Sequence, residues 1–303
     1  MIKSITITNN LNEELVMELA DPEKSGFAVL SVTGLGPVDV EVNTTKVAGM
    51  DGSLYSQGLL PERQITMKIK PLWLLGETVE DRRQKIYKMF PIKRPFKFSV
   101  KTDNRNCYTT AYVKQCTPDI FSSFETINII MVCPDPYFYQ ESAVGGTLIT
   151  FNGVDSLFEF EFENNSLDEN LIEFGDIQTN PVRNIIYDGD IDVGLEIHLH
   201  AIGSATKFSF YNSLTKESMI LDTDLFPDKL IKAGDDVMIS TLRGKKTVTL
   251  IRDGERINVI NAIGKNASWF KLTSGDNIFI YDAKTGMTNL EVTIKYRIAY
   301  EGI

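Results

Sequence analysis

Among 303 residues the chain has two histidines, two tryptophans and three cysteines, and it has no long apolar run. Each scarcity removes a class of chemistry. With only His198 and His200 available, most hydrolase arrangements would need an unusual base, and a metal would need a further ligand from elsewhere. Cys107, Cys116 and Cys133 are an odd set without metal-type spacing, and they read as cytosolic thiols. No stretch has the length and hydrophobicity of a membrane span or signal peptide, either in the opening MIKSITITNN or later. A Walker A sequence, a nucleophile-elbow serine and a dinucleotide fingerprint are missing too. The expectation is therefore a non-enzyme, with no catalytic, cofactor-binding or metal-ligating residues.

Positive charge is also short: 31 basic against 41 acidic residues, a net charge of −10. That balance opposes a nucleic-acid-binding surface. The exception runs from Glu62 to Lys101, where 11 Lys/Arg face 4 Asp/Glu. A solvated basic face is the plainer reading, but unlike patches on one molecule also allow head-to-tail contacts in a ring.

What the chain does have is period-2 alternation. Ile65-Thr-Met67-Lys-Ile69-Lys, Phe96-Lys-Phe98-Ser-Val100-Lys and Phe158-Glu-Phe160-Glu-Phe162-Glu each place apolar residues on one strand face. Leu195 to His200 and Val292 to Ile298 do the same. Asp253-Gly254 between TVTLIR and ERINVI signals a hairpin, and Asp51-Gly52, Asn152-Gly153 and Asp188-Gly189 mark further turns. One segment reads as a helix, about residues 78–90: Val79, Ile86 and Phe90 share a face with Arg82 and Arg83 alongside, Thr78 and Asp81 pair as a cap, and Pro91 closes the end. A short turn is expected around Pro227. The class is mainly β. Ile127 to Val132 reads as a buried strand, stopped by Cys133-Pro134-Asp135-Pro136 and followed by Tyr137 and Phe138. Two prolines one residue apart cannot continue a ladder. With ESAVGG after it, this exit divides the chain into 1–140, which carries the helix, and 141–303, which reads as an all-β sandwich.

Four clusters raise possible chemistry. Asp188, Asp190 and Asp192 alternate as in a calcium loop, but the glycine and the final glutamate are misplaced, which leaves a polar turn. His198 and His200 share the polar face of a strand and read as solvated. Glu159, Glu161 and Glu163 line one face at about 6.6 Å spacing, within reach of an inverting glycosidase, yet any solvated strand face offers the same. Trp269, Phe270, Phe279 and Tyr281 offer a stacking surface for sugar, although alternation reads such aromatics as core residues.

In order along the chain, GMDGSLYSQGLLPERQITMKIK, RRQKIYKMFPIKRPFKFSV and AYVKQCTPDIFSSFETINIIMVCPDPYF resemble the distal tail proteins (Dit) of siphoviruses, long-tailed non-contractile phages. AGDDVMISTLRGKKTVTLIRDGERINVI and SWFKLTSGDNIFIYDA resemble the carboxyl-terminal domain of that family, while Asn164 to Pro181 follows its pattern loosely. The resemblance implies a virion protein, assembled in the bacterial cytoplasm and placed at the distal end of the tail. It implies a hexameric ring formed by a belt domain, 1–140, and an outward galectin-like β-sandwich, 141–303. The ring would connect the tail tube protein to the tail-associated hub or lysin protein, and the sandwich would carry a receptor-binding protein or side fibre. Asp51, Gly52, Arg82, Arg83, Cys133, Pro134, Asp135, Pro136, Tyr137 and Phe138 fall within the motifs and are expected to be architectural. A defective prophage or tail-like particle would use the same part. The competing reading is a carbohydrate-binding module that contacts wall polysaccharide through Trp269.

Overall fold

The structure, a computed structural model, describes residues 1–73, 76–122, 124–143, 145–155, 176–179 and 181–303. It divides into two compact units. One comprises Met1–Glu141 with Ala299–Ile303, and the other comprises Ser142–Ile298. The molecule is mainly β, as alternation predicts.

The first unit contains β1 (Ile2–Thr8), β2 (Glu14–Glu18), α1 (Pro22–Ser25), β3 (Phe27–Thr33), β4 (Glu41–Thr45), β5 (Leu54–Leu59), β6 (Arg63–Pro71), α2 (Val79–Met89), β7 (Phe96–Thr102), β8 (Asn106–Asp119), β9 (Thr126–Cys133) and β10 (Phe138–Gln140). The main sheet runs β2-β1-β7-β8-β9-β6-β3. Strand β8 joins its two halves: Asn106–Ala111 pair with β7, and Tyr112–Asp119 pair with β9. Lys114 bulges out of that second ladder, where the register shifts between Val113 and Gln115. Alternation delivers Ile65, Met67 and Ile69 of β6, Phe96, Phe98 and Val100 of β7, and Ile127, Ile129 and Met131 of β9 to the interior.

Helix α2 begins where Thr78 and Asp81 cap each other reciprocally, with Asp81 N–H donating to Thr78 Oγ1 at 3.1 Å. These bonds, from the Thr78 side chain first and its backbone second, hold the Asp81 carboxyl below its ordinary range. Ile86 and Met89 are buried beneath the helix. The short α1 has no hydrophobic periodicity to betray it; Pro22 starts it and Gly26, at φ +77°, stops it. Strand β25 (Ala299–Tyr300) returns to pair with β10, so the end of the chain belongs to the first unit's sheet.

In the second unit a six-stranded sheet runs β11 (Thr147–Thr150), β24 (Leu290–Tyr296), β16 (Glu196–Ala201), β19 (Asp236–Ser240), β20 (Thr247–Arg252), β21 (Glu255–Asn258). A four-stranded sheet runs β14 (Val182–Tyr187), β23 (Gly275–Thr285), β17 (Thr206–Asn212), β18 (Ser218–Leu221). Two ribbons, β12 (Asn152–Asp155) with β13 (Asp176–Thr179) and β15 (Val193–Gly194) with β22 (Lys271–Leu272), complete it. Both large sheets contribute to one core, in which Phe210 stacks on Phe279 at 5.0 Å and meets Phe270 edge-on at 5.4 Å. Each such ring, fully buried, contributes roughly 1.5–3 kcal/mol. Single 3₁₀ turns flank Pro227, at Thr223–Leu225 and Pro227–Lys229.

Asn152-Gly153 is not a turn. Both residues lie in β12, paired with Thr179 and Gln178. An Asn-Gly pair makes a hairpin only where its flanking runs pair with each other, and here β11 pairs with β24 instead. No helix among the described residues is long and apolar enough to cross a membrane.

Candidate functional site

The strand exit after β9 is built around one buried cation. Continuing the β6 alternation one step back from Ile65 puts Arg63 on the inward face, opposite Cys133 in register. Its side chain is 1% exposed. The guanidinium Nε donates to Pro136 O at 2.6 Å and Nη1 to Gly34 O at 2.7 Å. Further bonds run from Nη1 to Gly36 O and from Nη2 to Glu301 O. Its carbon Cζ lies 4.4 Å from the centroid of the buried Phe138 ring. Three chain segments therefore converge on one side chain through four carbonyls. Burial lowers the Arg63 pKa, and the nearby Cys133 opposes that shift. Arg63 lies inside the basic stretch, where composition marks only charge; its inward position, though not its acceptors, was readable from the strand period.

The Pro-Asp-Pro exit is fastened locally as well. Asp135 accepts from Tyr137 N–H at 3.3 Å and from Tyr139 Oη at 2.7 Å, an Asx turn that turns the chain toward β10. The Cys133 thiol is buried, and burial pushes its pKa up to about 11, against smaller opposing effects from Thr109 and Arg63. It is protonated at neutral pH and is a packing group, not a nucleophile.

Between β3 and β6 the chain leaves the sheet. Strands β4 and β5 pair with each other and, among the described residues, with no other strand. All of β4 and all of β5 except Gly58 are exposed. Asp51 and Gly52 sit at its tip, where Gly52 adopts φ +89°. The arm and its base carry Val40, Val42, Val47, Met50, Leu54, Tyr55, Leu59 and Leu60 in the open. An isolated two-stranded hairpin is marginal in water, and a run of exposed apolar groups on one marks a contact surface. At its base is a cavity of about 100 Å³ lined by Pro37, Val38, Val40, Leu60, Arg63, Pro136, Tyr137 and Glu301.

Arg82 and Arg83 are both tied into the first unit. Arg82 is buried, pairs with Glu77 at 3.0 Å and lies over Gly26. A Cβ at that glycine would sit 1.1 Å from Arg82 Nη1. Arg83 reaches Glu125 at 3.4 Å and ties the helix to the entry of β9.

In the second unit His198 Nε2 and His200 Nδ1 both meet Asp236 Oδ1, at 2.9 and 2.8 Å. The histidines are on the polar face, as alternation predicts, but share a carboxylate that the sequence did not reveal. Burial alone would raise the Asp236 pKa; the bonds from His200 and His198 outweigh it and hold the group below its ordinary range. Asp188, Asp190 and Asp192 lie in the connection between β14 and β15, where Tyr187 Oη donates to Ile191 O at 2.9 Å. Trp269 is half-buried against the core, with Lys246 Nζ 5.3 Å from its ring centroid. Among the described residues no group of three or more His, Cys, Asp or Glu is arranged to hold a metal. Glu159, Glu161 and Glu163 lie outside the described residues.

No family model matches the sequence, and no curated protein matches it. Its backbone does match solved structures. The Dit protein of phage SPP1, described as a paradigm of the hub adsorption apparatus in phages infecting Gram-positive bacteria, aligns with a TM-score of 0.63 over 97% of this chain and 98% of its own. The chain has the Dit fold. Sequence identity to SPP1 Dit is only 13%, so the likeness lives in topology rather than in shared side chains. A chain of the phage P2 baseplate, solved in its activated conformation with calcium, aligns at a TM-score of 0.51, 10% identity and full coverage of both chains. Thus the whole Dit fold, not one of its units alone, is present.

Proposed function

We propose that the chain is a structural protein of a phage tail tip, built into the virion in the bacterial cytoplasm. The observation that carries this reading is the end-to-end match to SPP1 Dit. In this reading the first unit is the ring-forming belt, six copies closing around the tail axis between the tube and the hub protein. The second unit is the galectin-like sandwich, which faces outward and holds a receptor-binding protein or side fibre. The part performs no catalysis. Support from the chain itself comes from the β4–β5 arm, whose exposed apolar residues need a covering partner. A closed ring of heterologous contacts requires two different surfaces per copy, and an arm with an opposing face meets that requirement. An acidic molecule around a DNA channel also avoids gripping the passing phosphates.

Electron microscopy of the purified protein with its tube and hub partners tests the reading. Six-fold rings are the expected result. Monomers alone at high concentration, with no ring in the presence of either partner, refute it. Replacing residues 42–59 by a short Gly/Ser loop should leave the first unit folded and abolish the rings; rings that persist would remove the arm from the interface. The carbohydrate-binding alternative gains little from Trp269, which is half-buried against the core with Lys246 over its ring.

A further inference from the structure

The sequence holds three Asp-Gly pairs, Asp51-Gly52, Asp188-Gly189 and Asp253-Gly254. Such a pair rearranges with water as its only reagent. The glycine main-chain nitrogen bonds to the aspartate Cγ, and the carboxyl OH leaves with the amide proton as water, which closes a five-membered succinimide. Water then adds back at either ring carbonyl. Breaking the Cγ–N bond restores aspartate. Breaking the bond from that nitrogen to the main-chain carbonyl carbon leaves isoaspartate, whose main chain runs through Cβ and whose old carbonyl carbon becomes the free carboxylate. One water leaves and one returns, so nothing is oxidised and the mass is unchanged. Closure requires the nitrogen to swing onto Cγ, a near-attack geometry that a fixed backbone denies. A glycine helps because it brings no Cβ into the way.

The fold separates the three pairs. Asp253 (φ +51°) and Gly254 (φ +82°) are the central residues of the β20–β21 hairpin, held between the paired Arg252 and Glu255. Gly189 is buried, and a Cβ there would collide with Tyr187 Oη, the atom that donates to Ile191 O. Asp51 and Gly52 lie beyond the last β4–β5 pair, Thr45 with Leu54. Residues 46–53 are all exposed. Among the described residues, Met50 N–H to Val47 O at 3.3 Å is the one backbone hydrogen bond within that stretch. The two-stranded arm below it is itself marginal, and a loop tip of this kind opens at little cost. Asn152-Gly153, which closes the same ring with loss of ammonia, is instead paired into the β12–β13 ladder. We infer that Asp51 is the aspartate at which the free chain forms isoaspartate, and that covering the arm in an assembled tail tip protects it. The first half stands on the free chain alone; the second rests on the ring proposed above. An isomerised arm carries one more main-chain atom and a displaced carboxylate at its tip, so an aged subunit presents a different end from a fresh one.

The test incubates the full chain warm at neutral pH, folded and in concentrated urea, and reads isoaspartate at each pair by peptide mapping with electron-transfer fragmentation. In urea the three pairs lose their surroundings and should react at similar rates. Folding should leave the rate at Asp51 nearly unchanged and slow Asp188 and Asp253 by at least about 10-fold, because reaction there waits for local opening. Deamidation at Asn152 changes the mass and is read separately. Asp51→Glu should remove the product at the tip, since a six-membered imide closes far more slowly, and should not shift the melting midpoint at this exposed position. An Asp51 that folding protects as well as it protects the other two, or a faster folded-state rate at either of them, would overturn the assignment. The same reading is then made on particles assembled with the tube and hub partners, where Asp51 should react at least about 10-fold more slowly than in the free chain. Rings in which Asp51 reacts at the free rate would overturn the protection while leaving ring assembly standing. If no mixture forms rings, ring and protection fall together, and the free-chain comparison still decides the site.

Discussion

Arg63→Ala is the perturbation with the largest effect on the first unit. The guanidinium satisfies carbonyls of Gly34, Gly36, Pro136 and Glu301 at once and covers the Phe138 ring. An unpaired buried acceptor costs about 1–3 kcal/mol, and four would give a sum larger than this unit can lose. Two effects reduce that sum. Water enters the space the side chain vacates, and the cost of burying a cation with no carboxylate partner disappears. The expected loss is therefore about 3–5 kcal/mol. At a urea slope of about 2 kcal/mol/M the unit's midpoint falls by about 1.5–2.5 M. Arg63→Lys keeps the charge but not the planar fork that spans three segments, so it should lose roughly 2 kcal/mol. Hydrogen exchange read by mass spectrometry localises the effect. Peptides covering residues 34–40, 134–140 and 299–303 should exchange faster together, while those from 181–298 should not change. A midpoint shift below about 0.25 M, the size of an ordinary surface substitution, would refute the claim that this cation holds the three segments.

Gly26→Ala should cost about 2–3 kcal/mol, since the new methyl must displace the Arg82 guanidinium and the backbone there has φ +77°; thermal unfolding monitored by circular dichroism reads it, and a neutral result would mean that Arg82 has another place to go. Thiol labelling at about pH 8 should modify at most Cys116 in the folded protein and all three cysteines in denaturant, because burial raises the thiols of Cys116 and Cys133 and Cys107 is fully buried; rapid loss of three thiols would contradict that packing. For Asp236, whose folded pKa is depressed, the stabilisation is present above its unfolded pKa and disappears as pH falls through the folded one. The stability gap between wild type and Asp236→Asn should therefore narrow from about pH 5 to about pH 2; a gap that widened over that range would reverse the sign and refute the assignment.

The parts legible in the sequence were those set by neighbours two to four residues apart. Strands β6, β7 and β9 follow from alternation, and α2 from Thr78, Asp81 and Pro91. Pairing partners are another matter. Strand β6 lies between β3 and β9, and nothing local in Ile65 to Lys70 names either one. The return of Ala299–Tyr300 to β10 was equally hidden, because two residues carry no periodicity. Arg63 shows a middle case. Its inward position follows from the strand period, whereas its four acceptors come from distant loops. The β4–β5 arm escaped notice for the opposite reason: every face of it is exposed, so no buried stripe marks its register.

The bond from Arg63 to Glu301 spans 238 positions of sequence, and this sets an order on biosynthesis. The chain is made from its amino terminus at about 5–20 residues per second, so Arg63 emerges roughly 10–50 s before its last acceptor exists. Once made, β10 pairs with β8 but still lacks β25, and the first unit waits with that edge open. It can close only after residues 299–301 have been made. Residues 299–303 thus complete the first unit from beyond the second, and a product truncated inside the second unit would carry an incomplete first unit.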